Sequence, residues 1–198
     1  MKQTRTQSAL LCLLLAVSFA FGQEPPSEDD YYKISEVPIP KDVYLEVGAL
    51  EILEGKLYAS SRRGDIYAIE DALGDKLPQA KFVKFAGGLH EVLGLSAMDG
   101  KIYATQRCEI TRLSDENNDG RADLLETVSD SWGINGDYHE YAFGSKFDPD
   151  GDMWIVLCLT GSGGAADDSP FRGWCLRVKP DGTSRFTCSG IRLSLIHI

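Results

Sequence analysis

One short sequence motif occurs three times in this chain of 198 residues, and it constrains the fold more than any other feature. In each copy a glycine is followed by a polar residue, an apolar residue and an aromatic residue. The copies begin at Gly55, Gly100 and Gly151, so they are 45 residues (100 − 55) and 51 residues (151 − 100) apart. Short alternating segments with turn signals surround each copy and predict about four antiparallel strands per unit. A period of roughly 40 to 50 residues with four strands per unit is typical of the blades of a β-propeller.

The sequence therefore predicts an all-β chain in which residues 41–190 form three blades of a propeller. We expect strands at 45–53, 56–60, 64–70 and 81–86, then at 93–97, 101–105, 109–113 and about 124–128, then from about 138, 153–159, 173–178 and 184–188, with a loop at 74–78. The pattern fails after Gly190, and a closed ring needs about four to eight blades. We interpret the chain as the N-terminal fragment of a longer propeller, with 191–198 as a truncated or artefactual tail.

The N-terminus predicts export. A basic start at Lys2 and Arg5 precedes the apolar residues 9–21, and small residues follow, which together indicate a signal peptide at 1–22. An uncleaved anchor is the alternative, although the apolar segment is short for a membrane span. Residues 23–40 are rich in Pro, Glu, Asp and Ser and predict a linker. We expect a periplasmic or secreted protein without a membrane span after cleavage.

Charge and cysteine content limit the partners. The net charge of −10 and the scattered basic residues argue against nucleic acid and against anionic membranes. The adjacent pair Arg62 and Arg63 is interpreted as solvated surface. Export would leave Cys108, Cys158, Cys175 and Cys188 in an oxidising compartment, where four cysteines allow three pairings. We expect Cys158 with Cys175, because both lie in apolar strand segments beside one loop. No pair has the Cys-x-x-Cys spacing of a zinc or haem site.

An acidic loop in the second unit matches a calcium-binding template. The sequence from residue 115 to 126, DENNDGRADLLE, fits the pattern D-x-[DN]-x-[DN]-G-x5-E. Strand-like flanks place this loop between two strands instead of the two helices of an EF-hand. A solvated acidic turn without metal is the alternative. The predicted oxygen ligands of a structural Ca²⁺ are Asp115, Asn117, Asp119, the carbonyl of Arg121, Asp123 and Glu126.

A second candidate site lies where the chain enters the first strand of each unit. His90 with Glu91, and His139 with Glu140, occupy the same phase of the repeat, and Glu46 takes this position in the first unit. In a propeller these positions meet at the mouth of the central channel. A carboxylate beside an imidazole suits a general base, and the group can also bind a metal. The alternative is that these residues form hydrogen bonds between blades. His139 is the better candidate of the two histidines.

These residues resemble a known family. The similar segments are LHEVLGL at 89–95, TQR at 105–107, the loop 115–123, residues 132–140, GW at 173–174 and KPDG at 179–182. They are similar to the secreted propellers of planctomycetes and their relatives that are labelled membrane-bound dehydrogenases, some with a C-terminal cytochrome module. That family is distantly similar to the glucose/sorbosone dehydrogenases, which are six-bladed propellers that use pyrroloquinoline quinone and calcium.

The resemblance implies a function for the candidate residues. In the quinone enzymes a histidine before an inner strand takes the hydroxyl proton of the sugar, and His139 occupies a similar position. The resemblance also implies that the residues that clamp the quinone lie mainly in later blades, so this fragment is expected to be inactive alone. We expect a quinone-dependent dehydrogenase of a sugar or alcohol that passes electrons to a cytochrome c module. The alternative is a non-catalytic propeller that binds carbohydrate or protein in a multidomain surface protein.

Overall fold

The computed structural model of the chain describes residues 25–134, 140–159 and 171–191, and the chain divides into two compact units. The first unit is Met1–Ser35, and its described part has one 3-10 turn at Glu28–Asp30. The second unit is Glu36–Ile198, which holds every strand found in the described residues. Within these residues, no helix has the length and apolar character needed to cross a bilayer. The predicted signal peptide lies outside the described residues.

The second unit contains three four-stranded antiparallel sheets, each of them a simple meander in which consecutive strands are neighbours. We call them blades one, two and three. Blade one has β1 Val47–Leu53, β2 Lys56–Ser61, β3 Ile66–Glu70 and β4 Lys81–Ala86; blade two has β5 Gly94–Met98, β6 Lys101–Thr105, β7 Ile110–Ser114 and β8 Leu124–Ser129; blade three has β9 Ala142–Phe147, β10 Met153–Leu157, β11 Trp174–Val178 and β12 Ser184–Ser189. The all-β class and the partial propeller predicted from the repeat are confirmed.

The repeated glycine closes the first hairpin of each blade. Glu54 and Gly55 both have positive φ (51° and 77°), and so do Asp99 and Gly100 (51° and 73°). In these two blades, two consecutive residues with positive φ match the turn type whose twist suits a two-residue hairpin. Gly151 of blade three also has positive φ (84°), but it lies in the longer turn between β9 and β10. The connection between β3 and β4, predicted as a loop at 74–78, contains a 3-10 helix at Gly74–Gln79.

Apolar side chains bury both faces of blade two. Because side chains alternate along a strand, Ile102 of β6 packs toward blade one while the next residue, Tyr103, packs toward blade three. The core between blades one and two includes Tyr58, Ile66, Phe85, Val92, Leu95 and Leu113. The core between blades two and three includes Ile110, Trp132, Met153, Ile155, Leu157 and Leu176. The sheets therefore stack face to face, as blades do.

The first strands of the three blades approach one another closely. A Cβ atom on Gly94 of β5 would lie 2.2 Å from the carbonyl oxygen of Gly144 on β9, so only glycine permits this spacing. Hydroxyl groups add direct hydrogen bonds between blades: Ser60 Oγ donates to the carbonyl of Val92 at 3.0 Å, and Ser96 Oγ donates to that of Ser145. The first strands thus form a common hub, and residues that precede them in different blades are brought together.

Strand register does not support the expected pairing of Cys158 with Cys175. Cys108, Cys158, Cys175 and Cys188 all carry thiols in the structure, and none of them is joined in a disulfide. Cys175 lies opposite Val156 on β10, whereas Cys158 follows two residues later, after that strand has ended. Diagonal neighbours with this offset have Cα atoms about 7–8 Å apart, which exceeds the span of a disulfide.

Candidate functional site

The candidate site lies at one end of the hub, where segments from all three blades meet. We call it the hub mouth and define it by the residues just before the first strands (Glu46, His90, Glu91, Glu140, Tyr141) and by arginines in the turns between second and third strands (Arg62, Arg63, Arg107, Arg172). The same phase of the repeat supplies equivalent groups from each blade. Glutamates and arginines consequently alternate around the mouth.

Glu91 of blade two is held by arginines of two different blades. Its Oε1 accepts hydrogen bonds from Nε and Nη2 of Arg62 in blade one, at 3.3 and 3.2 Å. Its Oε2 accepts one from Nη1 of Arg107 in blade two, at 3.3 Å. Charge-assisted hydrogen bonds of this kind fix the orientation of a carboxylate. They also hold the residue in a left-handed backbone conformation (φ 49°), which costs a non-glycine residue about 1–2 kcal/mol.

Tyr141 of blade three is bound by the same two arginines. Arg62 Nη2 donates to the Tyr141 hydroxyl at 2.7 Å, so a side chain of blade one reaches blade three directly. The guanidinium carbons of Arg62 and Arg107 lie 5.4 and 5.6 Å from the centre of the Tyr141 ring, within the range of a cation–π interaction. A second contact between these blades joins Lys146 Nζ to Glu51 Oε2 at 2.7 Å.

Glu140 has the most buried carboxylate of the mouth. Its side chain and that of Arg172 are 0% and 1% exposed, and Arg172 Nε lies 3.6 Å from Glu140 Oε1. Arg172 also donates to the carbonyls of Gly133 (2.6 Å) and Tyr141 (3.4 Å), while Arg107 Nε donates to the carbonyl of Glu140 at 3.1 Å. A buried charge is tolerated only with such partners, so this pair fixes the segment that follows residue 139.

Glu46, the equivalent residue of blade one, has a different environment. It pairs with Arg63 at 3.0 Å, but both side chains are more than half exposed. The hydrogen bond from Arg63 lowers the pKa of Glu46 below its ordinary value. Its main-chain carbonyl accepts from the amide of Arg62 at 2.9 Å. The three recurring glutamates therefore belong to one connected network, as their shared phase predicted.

Of the two candidate histidines, the structure describes His90 but not His139. The side chain of His90 is 53% exposed, and its Nε2 is 3.9 Å from Glu91 Oε2. Both main-chain polar groups of His90 form hydrogen bonds. The amide donates to Gln106 Oε1 (2.5 Å), and the carbonyl accepts from the amide of Arg107 (3.2 Å). His139 lies outside the described residues, although Glu140 and Tyr141 directly after it are anchored at the mouth.

The contacts show what holds the two carboxylates. Both oxygens of Glu91 accept hydrogen bonds from arginines, one from blade one and one from blade two. Glu140 is enclosed with Arg172 of its own blade. Hydrogen bonding between blades, the alternative that the sequence left open, is thus present at Glu91. An exposed imidazole beside a fixed carboxylate, as at His90, is the arrangement that can still exchange a proton with a ligand.

The arginines of this network were not predicted from the sequence, and Arg62 was interpreted as solvated surface. That interpretation was wrong for Arg62, whose guanidinium binds Glu91 and Tyr141. A signal was present, because Arg62 and Arg107 each lie seven residues after the hairpin glycine of their blade (62 − 55 and 107 − 100). Arg172 breaks that spacing because a longer connection separates β10 from β11.

The acidic loop of blade two joins β7 to β8, as its strand-like flanks predicted. Asp115 accepts hydrogen bonds from the amides of Asp119 (3.1 Å) and Gly120 (2.8 Å). Asp123 accepts from the amides of Glu116 (2.6 Å) and Asn117 (3.1 Å), which brings the two ends of the loop together. The carboxylates therefore point into the turn.

Two observations bear on calcium at this loop. Glu126 lies on β8, where Arg112 of β7 binds its carboxylate at 2.9–3.0 Å. Glu126, the twelfth residue of the template, would have to leave Arg112 in order to bind calcium. In the part of the chain that the structure describes, no group of three or more His, Cys, Asp or Glu side chains is arranged to hold a metal ion. Beside the loop, Asp115 and Asp119 line a cavity of about 470 Å³ between blades one and two, together with Lys56, Tyr58, Glu70 and Phe85.

The fold and the hub mouth together define the class of the protein. It is an all-β chain that forms three blades of a propeller with charged side chains at the hub. Among solved structures, the chain is similar to a protein of Thermus thermophilus named as a glucose dehydrogenase-type oxidoreductase, with a TM-score of 0.54 and 21% identity. The match covers 70% of this chain and 45% of that one, so this chain spans less than half of its length. At this identity the likeness shows the fold alone.

A second similar structure is that of a luciferin-regenerating enzyme, with a TM-score of 0.48, 14% identity, and coverage of 70% of this chain and 43% of that one. No protein-family profile matches the chain, and neither does any curated protein sequence.

The buried pair of the mouth gives a direct test of the network. Replacing Glu140 by alanine leaves the buried guanidinium of Arg172 without its carboxylate, which should destabilise the protein by about 3–5 kcal/mol. Thermal and urea unfolding of the purified protein measure the loss. Glu46→Ala is the matched control, because it removes the equivalent residue of blade one from an exposed pair, and its melting temperature should change little. Equal effects of the two substitutions would contradict the description of the mouth.

Proposed function

We propose that the chain is the propeller part of an exported dehydrogenase that oxidises a small sugar or alcohol at the hub mouth, with a quinone as electron acceptor and a cytochrome c module downstream. The observation that carries the proposal is the anchoring of Glu140 and Tyr141 by arginines from all three blades. Glu140 and Tyr141 directly follow His139 in the sequence, and this adjacency supports His139 as the candidate base. The fold shared with a protein named as a glucose dehydrogenase is consistent with this class, as is the resemblance to secreted planctomycete propellers.

The role proposed for His139 is that of a general base. Its neutral imidazole would take the proton of a substrate hydroxyl while the adjacent carbon gives up a hydride, so that an alcohol becomes a carbonyl compound. Such catalysis contributes about 10²–10⁴-fold in rate when the base is held in place. Arg62, Arg107 and Arg172 act as positioning residues, because they fix the two residues that follow the base. His90, beside Glu91, is the second candidate for proton exchange.

The described arginines of the mouth do not fit a quinone clamp. Pyrroloquinoline quinone is a polyanion that needs cations directed at its carboxylates. Arg62, Arg107 and Arg172 are instead each engaged by Glu91, Tyr141 or Glu140. Arg63 is paired with Glu46. We therefore assign no described residue to the quinone. The dehydrogenase proposal requires those cations to come from other blades, in line with the six-bladed ring that the resemblance implies.

A non-catalytic propeller that binds carbohydrate or protein is the second candidate. One observation favours it: the shared phase of the repeat places glutamates in ion pairs with arginines, and such pairs stabilise a scaffold without chemistry. In this alternative the mouth is a polar recognition surface and His90 is one of its exposed contacts.

An activity assay separates the two candidates. The longest reading frame that contains this chain is incubated with Ca²⁺ and pyrroloquinoline quinone, and reduction of an artificial dye is followed with a panel of aldoses and alcohols. We expect turnover that falls by about 10²–10⁴-fold in His139→Gln, with a smaller loss in His90→Gln. Calorimetric binding of a sugar without dye reduction, together with no binding of the quinone, would favour the binding propeller and reject the enzyme.

We also propose that the 115–126 loop binds a structural Ca²⁺. The donors are the hard oxygens that calcium prefers, and the loop is already folded with its carboxylates turned inward. Binding would require Glu126 to exchange Arg112 for the ion. The proposed role is to stiffen the β7–β8 connection, where the amide of Ala122 donates to the carbonyl of Phe85 in blade one at 2.8 Å.

Thermal melting with calcium and with a chelator tests this site. A ligand at 100 times its dissociation constant stabilises the folded state by about 2.7 kcal/mol, which raises the melting temperature by roughly 5–11 °C for a protein of this size. Asp119→Ala should abolish the difference between the two conditions. Glu116→Ala, in the same loop but outside the ligand positions, should retain it. Identical melting curves for the unaltered protein in both conditions would remove calcium from the proposal.

A further inference from the structure

Two of the four cysteines in the described residues face each other across neighbouring strands. Cys175 of β11 and Cys188 of β12 are register partners in an antiparallel pair. Partners in such a pair have Cα atoms about 4.5–5.5 Å apart, and a disulfide needs about 4.4–6.8 Å. The backbone therefore already has the spacing of a cross-strand disulfide.

A local irregularity of β12 holds the two cysteines in place. The pairing shifts by one residue between Cys175 and Leu176, so that Thr187 has no register partner of its own on β11. The Thr187 hydroxyl donates to the carbonyl of Cys175 at 2.8 Å and lies 4.0 Å from Cys188 Sγ. One side chain thus contacts both cysteine residues, which fixes their relative position.

The other two described cysteines lie outside the paired positions of the strands. Cys108 belongs to blade two, in the turn before β7, and is half-buried. Cys158 follows the end of β10, and its thiol contacts the carbonyl of Leu159 at 3.5 Å. Of the pairings that these four residues allow, the register of the strands favours Cys175 with Cys188.

We propose that Cys175 and Cys188 form a disulfide that fastens the outermost strand of blade three. The oxidant is a low-molecular-weight disulfide, RSSR, of the kind found in oxidising compartments. The thiolate of Cys188 attacks one sulfur of RSSR, forms a mixed disulfide and releases RS⁻. The thiolate of Cys175 then attacks the Cys188 sulfur and releases the second RS⁻. Two protein thiols are oxidised, RSSR is reduced to two thiols, and the two protons pass to the released thiolates.

Exposure sets the order of these steps. Cys188 is exposed on an edge strand, whereas Cys175 is buried, and burial raises the pKa of the Cys175 thiol. The thiolate is the reacting form, so the exposed residue exchanges first. The buried residue then completes the bond inside the sheet, where the strand register places the two cysteines opposite each other.

The bond would stabilise the least supported strand of the three blades. Most residues of β12 are exposed, and no strand among the described residues pairs with its outer edge. The disulfide would close a loop of 14 residues (188 − 175 + 1). Cys175 also lies three residues after Arg172, the buried partner of Glu140 (175 − 172). A disulfide that restrains β11 would therefore also restrain Arg172, and with it the part of the hub mouth that blade three supplies.

Peptide mapping tests the proposal on the full chain. The protein is purified, equilibrated in oxidised glutathione, alkylated to block remaining thiols and digested with trypsin without reduction. Trypsin separates the cysteines, since Cys175 falls in peptide 173–177, Cys188 in 186–192, Cys158 in 147–172 and Cys108 in 108–112. We expect peptides 173–177 and 186–192 to be linked within one chain. A link through 147–172 or 108–112, a link between two chains, or alkylated Cys175 and Cys188 would each overturn the proposal.

Stability measurements give a second readout. Loops of about 15 residues closed by a disulfide give stabilisation that corresponds to a rise in melting temperature of roughly 6–12 °C for a protein of this size. Cys175→Ser and Cys188→Ser should each lose that increment in oxidising buffer, and the unaltered protein should lose it on reduction. Cys108→Ser is the control that should retain it. The same melting temperature for the oxidised and reduced protein would contradict the proposed stabilisation.

Discussion

The structure depends on the burial of both faces of its middle sheet. A four-stranded sheet with apolar side chains on two sides is stable in water only when another layer covers each side. Ile102 and Tyr103 are adjacent in β6, yet they belong to two different cores, one shared with blade one and one shared with blade three. Each copy of the repeated motif therefore forms one four-stranded sheet, and the sheets stack around a common hub.

Apolar packing brings the sheets together, and the charged network at the hub mouth sets how their ends meet. Hydrophobic contact has little directional preference, whereas a guanidinium binds a carboxylate in a defined geometry. Arg62 joins blade one to Glu91 of blade two and to Tyr141 of blade three. Arg107 joins blade two to the backbone of Glu140 in blade three. The carboxylate of Glu91, first considered for proton transfer, is thus part of the contacts that join the blades.

Much of the fold was predictable because its signals are local. Alternation and turn residues fixed the strands to within a few residues, and the period of the repeat fixed their grouping into blades. The phase of the repeat also predicted that Glu46, Glu91 and Glu140 share one region. The partners of these glutamates were not predicted, since an arginine in a turn has the same sequence signature whether it is solvated or paired with a distant blade. The pairing of Cys158 with Cys175 was expected from apolar flanks, which identify a strand, whereas only the register of the strands shows which residue lies opposite.

The central claim is that groups from successive blades meet in one network at the hub, and the contact between Arg62 and Tyr141 joins the first blade to the third within it. A double-mutant cycle with Arg62→Ala and Tyr141→Phe, followed by urea unfolding, measures their coupling directly. Because the Arg62 side chain is 41% exposed, we expect a coupling free energy of about 0.5–1.5 kcal/mol, in the range of a partly solvated hydrogen bond. Effects that add within about 0.3 kcal/mol would mean that blades one and three do not meet at the mouth, and would contradict this account.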